Sequence, residues 1–178
     1  QLEMQMSVKS ICNVVIVLAA ALGVLHAPLS SAGKYIKFDG IDGEVVEKDH
    51  DKWTELTSFS WSFKASGNGK RGCVTELEIL KPVELSSPAL LTRAASGSRI
   101  NHAILKVRKK GKKFDYIQIT LKDVLVTSLQ ATGGTDEEGE MEIVRLSFSQ
   151  MSGEYVPENP DGSIGKAQSW SLAQADKC

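Results

Sequence analysis

The densest run of chemistry-bearing side chains is Lys106, Arg108, Lys109, Lys110, Lys112 and Lys113, gathered around Gly111. Clustered cations of this kind suit phosphate or an acidic protein surface. The aromatics that single-strand binders interleave with their cations are missing from the run, so nucleic acid is not an expected partner. The first reading is a solvated hairpin end, and the second a contact with an acidic surface of another subunit. The opposite pole of charge is Asp136, Glu137, Glu138 and Glu140 in the stretch ATGGTDEEGE. Its carboxylates lack the regular offsets of a calcium loop, so a solvated acidic loop is expected and no metal. If subunits pack head to tail, Lys109 and Lys110 against Asp136 and Glu137 make a heterologous interface that closes into a ring.

Catalytic chemistry finds little to work with. The histidines are His26, His50 and His102, and the last two sit in polar surroundings that read as surface. No GxSxG, HExxH or GxxxxGK[ST] is present. The chain is therefore not expected to be an enzyme or to hold a cofactor. Cys73 and Cys178 remain once Cys12 is set aside with the N-terminal segment. A Cys73–Cys178 bridge would close a loop of about 105 residues, worth at most ~4.7 kcal/mol. A buried thiol at Cys73 with a loose one at the terminus is the other reading, and both stand.

The elements that carry these residues follow from periodicity. Ala103, Leu105 and Val107 alternate with polar neighbours, as do Ile117, Ile119 and Leu121, so the cationic run is the turn of a half-buried β-hairpin. After Lys122-Asp123 the apolar phase moves to Val124 and Val126, which predicts a bulge or bend. Upstream, Ser87 is placed to cap a short helix with Pro88 in its first turn, and Gly97 ends it. Leu90, Leu91, Ala94 and Ala95 are its expected docking face. Residues 53–63 read as one strand with Phe59, Trp61 and Phe63 turned into the core and serines outward. Further strands are expected over 34–41, 74–80, 141–151 and 164–172. Turn signals recur with no alternating helices, so the expected class is an all-β barrel of two antiparallel sheets with one short flanking helix.

The chain of 178 residues carries a formal charge of −1, which suits one ordinary domain. Lys9, the apolar run over 11–25, Pro28 and Ser30-Ser31-Ala32 together read as a secretory leader. The run is short of the about 20 residues a spanning helix needs. The expected organisation is a leader over 1–32, export to the periplasm or beyond with no stable membrane insertion after cleavage, and a single domain over 33–178.

The ordered segments YIKFDGIDGE at 35–44, W-x-E-L-x-S-F-S-W at 53–61, SPALLTRAASG at 87–97, the hairpin from Ala103 to Gln130, and DGS at 161–163 followed by Trp170 resemble the haemolysin-coregulated protein (Hcp) family. That family supplies the tube subunit of type VI secretion systems. The resemblance implies a tail-tube-like β-barrel that forms hexameric rings, which stack into a hollow tube. Spike protein, sheath and secreted effectors are the implied partners. It further implies that the 65–72 loop reaches a neighbouring ring, with Ser66, Asn68, Lys70 and Arg71 as contacts. The leader opens a second expectation, an exported barrel of this type acting as a binding module outside the secretion machine.

Overall fold

In the computed structural model, residues 32–65, 72–133 and 139–173 are described. They form eleven strands and one helix. The long hairpin is present as read: β7 (Ile100–Arg108) pairs antiparallel with β8 (Asp115–Thr132). Ala103, Leu105, Val107, Ile119 and Leu121 all face the core. Gly111 takes positive φ in the turn, where a side chain would be strained.

The phase shift expected after Lys122 is a corner made by both strands together. Asn101 and His102 on β7, and Lys122 and Asp123 on β8, are successive outward residues, yet Ile100↔Val124 and Ala103↔Leu121 keep one register. Asp123 adopts φ 55, and Arg99 donates to its backbone and side-chain oxygens at 2.9 and 3.1 Å. Thr127 is then an extra residue opposite β9 (Met141–Ser147), its hydroxyl donating to the Arg145 carbonyl at 3.2 Å. The first half of β8 therefore lies between β7 and β10 (Gln150–Tyr155), and the second half pairs with β9. One strand serves two sheets.

The remaining strands build outward. β1 (Lys34–Phe38) pairs with β7 and with β2 (Thr54–Glu55). β6 (Leu77–Pro82) joins β9 to β3 (Ser58–Ser60), and β11 (Gln168–Ala173) borders β10. β4 (Phe63–Lys64) and β5 (Cys73–Val74) make a separate ribbon. The hydrogen-bonded path runs β2-β1-β7-β8-β9-β6-β3 and, among the described residues, does not close. Its two ends are successive stretches of one segment. Leu56 N–H donates to Lys34 O at 2.7 Å and Thr57 N–H to Leu80 O at 2.9 Å, so the chain steps from one sheet to the other there.

That step corrects the single strand expected over 53–63. Its alternation breaks at Leu56-Thr57, where the chain leaves β1 for β6. Phe59 is half-buried, Trp61 is 38% exposed and Phe63 50% exposed. The 141–151 strand also divides, at Phe148-Ser149, because its halves pair with different halves of β8. Trp170 keeps its anchoring role. Its ring lies across Gly153, its cross-strand partner, where a Cβ would collide with it, and reaches Trp61 at 5.9 Å.

The helix, α1 (Ser87–Ser96), rests on β8, burying Leu90. Leu91 and Ala95 are exposed, so the docked face is narrower than expected. Its N-cap is Ser86, not Ser87, and no side chain caps it. The Ser87 hydroxyl is taken by a buried charge pair, and the Ser86 hydroxyl by Glu84 beside it. Lys81 on β6 and Glu142 on β9 are cross-strand partners and both are almost completely buried. Lys81 Nζ donates to Glu142 Oε1 at 2.5 Å, to Ser87 Oγ at 3.0 Å and to Pro82 O at 2.8 Å, with Glu84 Oε1 at 3.3 Å. Ser87 Oγ also donates to Glu142 at 2.8 Å and accepts from Glu84 N–H at 3.0 Å. Ser86 Oγ bonds Glu84, and Thr54 Oγ1 bonds Glu84 and Ser86. The pair thus ties the helix start to three strands.

Removing one partner of a buried, hydrogen-bonded ion pair strands the other charge. Glu142→Ala is expected to destabilise the fold by about 3–5 kcal/mol, read as a lower urea midpoint at unchanged slope. Joint replacement by Lys81→Met and Glu142→Leu is expected to cost much less.

Candidate functional site

The described half of the expected contact surface is the hairpin end, and its cations behave differently from one another. Lys109 and Lys112 donate to the two carboxylate oxygens of Glu158 at 3.0 and 2.5 Å. Those bonds, from Lys112 first and Lys109 second, hold the Glu158 carboxyl below its usual 4.5. The turn at 158–163 that presents Glu158 is itself braced. Asn159 N–H donates to Ser163 O, and Ser163 Oγ donates to Asp161, whose carboxyl is lowered by that bond. Lys110 and Lys113 are exposed, with no hydrogen bond or ion pair to any described residue.

Arg108 is not part of a solvated end, as the sequence reading had it. A bulge at Tyr116 shifts the register between Val107 and Arg108, and Arg108 is only 4% exposed. Its guanidinium reaches Asp115 Oδ1 at 3.2 Å, Asp49 Oδ2 at 3.4 Å, and Glu47. Lys106 adds a contact to Asp115 at 3.4 Å and lies over the Trp53 ring.

His50 is the second correction. Expected at the surface, it is fully buried beneath this cluster. Its ring stacks on Tyr35 at 4.1 Å and meets Trp53 edge-on. Nε2 lies 3.1 Å from Asp115 Oδ2 and Nδ1 3.4 Å from Glu47 Oε2. Burial, then the hydrogen bond to Glu47, push the Tyr35 phenol up to about 12, with the Glu47 and Glu55 charges adding to it and Arg108 opposing. The cluster therefore fastens the 42–53 segment to the hairpin root. At its other end, Lys37 and Lys52 hold Asp42 at 2.6 and 3.2 Å and keep its carboxyl below the usual range. His102 is exposed, as expected.

This fastened segment forms one wall of an open groove of about 490 Å³ beside β1. Tyr35, Val45, Val46 and Pro82 supply its apolar lining, with Val46 90% exposed. Glu44, Glu47, Glu55 and Glu84 supply the charge around it. Glu47 is engaged by Arg108, and Glu84 by Thr54 and the Glu44 N–H. Glu44 accepts from Leu85 N–H at 3.0 Å and is otherwise open to solvent, and Glu55 is exposed.

Of the other sequence-derived contacts, Ser66, Asn68, Lys70, Arg71, Asp136 and Glu137 lie outside the described residues, as does the 1–31 segment. Cys73 is disulfide-bonded, which removes the free-thiol reading for it; Cys178 lies outside the described residues. Among the described residues no His, Cys, Asp and Glu cluster suits a metal, and no helix is long and apolar enough to cross a membrane.

The sequence profile of the family described as type VI secretion system effector, Hcp, matches residues 35–155. Protein hcp1 of Pseudomonas aeruginosa is 32% identical over 141 residues, covering 72% of this chain and 86% of that protein. Among solved structures, one described as a type six secretion system protein superposes with a TM-score of 0.72 at 27% identity, covering 80% of this chain and 96% of its own. Hcp1 from Salmonella typhimurium gives a TM-score of 0.69 at 30% identity, covering 81% and 95%.

The Glu158 bridge predicts an acid response. A carboxyl lowered by folding stabilises the fold fully above its unfolded value of 4.5 and ceases to as pH falls through the lower folded value. Wild type is therefore expected to melt above Glu158→Gln at neutral pH, with the gap closing below pH 4.5. A gap that stays constant in thermal melts down to that acid range would show that the bridge does not act through its charge.

Proposed function

The chain belongs to the Hcp family of type VI secretion system proteins, and on that premise we propose that it is a structural tube subunit. In this reading six copies close into a ring, rings stack into a hollow tube, and the tube delivers effectors with a spike protein and a sheath as partners. The observation that carries it is the match of one profile from β1 through β10, over residues 35–155, joined to structural likeness across 95% or more of two relatives. The placement of charge supports it. The buried side chains Lys81, Glu142, Arg108 and His50 are spent on joining one element of the fold to another. A subunit that must keep its shape under assembly forces gains from such joints, whereas catalysis needs groups held open to a substrate.

A second reading rests on one sequence feature, the apolar run at 11–25 with Lys9 before it and Ser30-Ser31-Ala32 after. It makes the protein an exported barrel that binds its partner outside the secretion machine. The Cys73 disulfide suits an oxidising compartment and agrees with that route. We assign Cys178 as the bonded partner.

Native mass spectrometry of the purified protein separates the two. A six-subunit species is expected, with stacks at higher concentration visible by negative-stain electron microscopy. A monomer at every concentration would overturn the tube reading and leave the exported binding module.

A further inference from the structure

The groove beside β1 and the hairpin end share a level in the fold. Tyr35, in the groove, pairs with Lys106 on β7, and Lys34 pairs with Val107, two residues before the turn at 109–113. The groove is apolar within and acidic around, with Glu44 and Glu55 facing solvent and Val46 standing out at its rim. The turn is the complement. It is narrow, and Lys109 and Lys112 are clamped by Glu158. Lys110 and Lys113 project with no partner among the described residues. Bracing a loop before it binds lowers the entropy lost on docking.

The geometry points to the groove as the docking site for the 109–113 turn of a second copy of this chain, Lys110 and Lys113 meeting Glu44 and Glu55. This inference rests on the ring reading and names the surface that closes the ring. A contact between two different patches is heterologous, and rotation about a ring axis repeats each patch at constant height. For an axis running with these strands, patches at one end of the sheet meet side by side within a ring. A contact between stacked rings would instead join opposite ends. The acidic loop containing Asp136 and Glu137, the partner that sequence alone suggested for the turn, gives way here to a groove with both apolar lining and charge.

The test is charge reversal on the full protein, read by native mass spectrometry. Lys110→Glu with Lys113→Glu touches no described bond, so folding is preserved; circular dichroism confirms it. Glu55→Lys likewise breaks none, and Glu44→Lys gives up one exposed bond. Each double variant alone is expected to lose the six-subunit species at least tenfold. Mixed in equal amounts, the two are expected to restore it with three copies of each, since in an alternating ring three interfaces join a reversed turn to a reversed groove and the other three join a wild-type turn to a wild-type groove. A six-subunit fraction unchanged in either double variant, or a mixture of folded variants that restores nothing, overturns the groove contact. Those results leave the ring itself standing, whereas a monomeric wild type would overturn the ring and this contact together.

Discussion

The fold depends on a single strand turning a corner. β8 is long enough to belong to two sheets only because Asp123 accepts a left-handed backbone and Thr127 adds an unpaired residue. A non-glycine residue at positive φ is uncommon, and aspartate is among those that tolerate it best. Arg99 holds that conformation from outside through Asp123's two oxygens. β7 bends in step, so the hairpin crosses the corner without losing register. Without the corner, Val124 and Val126 would leave the core that Leu121 and Ile119 enter.

Buried charge then does what more hydrocarbon would not. Lys81 and Glu142 lie where the second sheet meets the helix, and Arg108, His50 and Asp115 where the first sheet meets the 42–53 segment. Each joint is between elements far apart in the chain, with partners spaced 61 residues in both the Lys81–Glu142 and Glu47–Arg108 contacts. Apolar replacements at such sites are often as stable, but they pack in many ways. A charge pair with its hydrogen bonds filled accepts one arrangement. Here it sets the height of α1 and the wall of the groove.

Much of this was legible in the residues. The hairpin, its glycine turn, the phase change at Lys122-Asp123, the helix stop at Gly97 and the family likeness all follow from local pattern. Lys81 was legible too, though not read. Leu77, Ile79 and Lys81 share one phase of β6, and Glu142, Val144 and Leu146 one phase of β9, so opposite charges stood on the inward face of neighbouring strands. His50 and Arg108 gave no such sign. His50 is in a charged turn with no period, and Arg108 is turned inward by a bulge residing on the opposite strand. Ser87 misled because its hydroxyl had a stronger claim on it than the helix end, in the Lys81 ammonium. The aromatic stripe misled because alternation is silent about where a strand changes partners.

The order of strands along the ladder also has a kinetic meaning. Among the described strands, β7, β8 and β9 are the one run of three that are neighbours both in the chain and in the sheet, and β1 and β6 must return from far upstream to flank them. Non-local pairings pay loop-closure entropy before they gain contacts, which slows folding. Low contact order therefore favours the three-stranded meander forming ahead of its pairings with β1 and β6, with both of its borders bare. Until β1 and β6 arrive, those borders are open templates on which another nascent chain could pair. The arrival of β1 and β6 covers those borders, so the moment at which the ladder is completed is also the moment at which its edges cease to invite stray pairing.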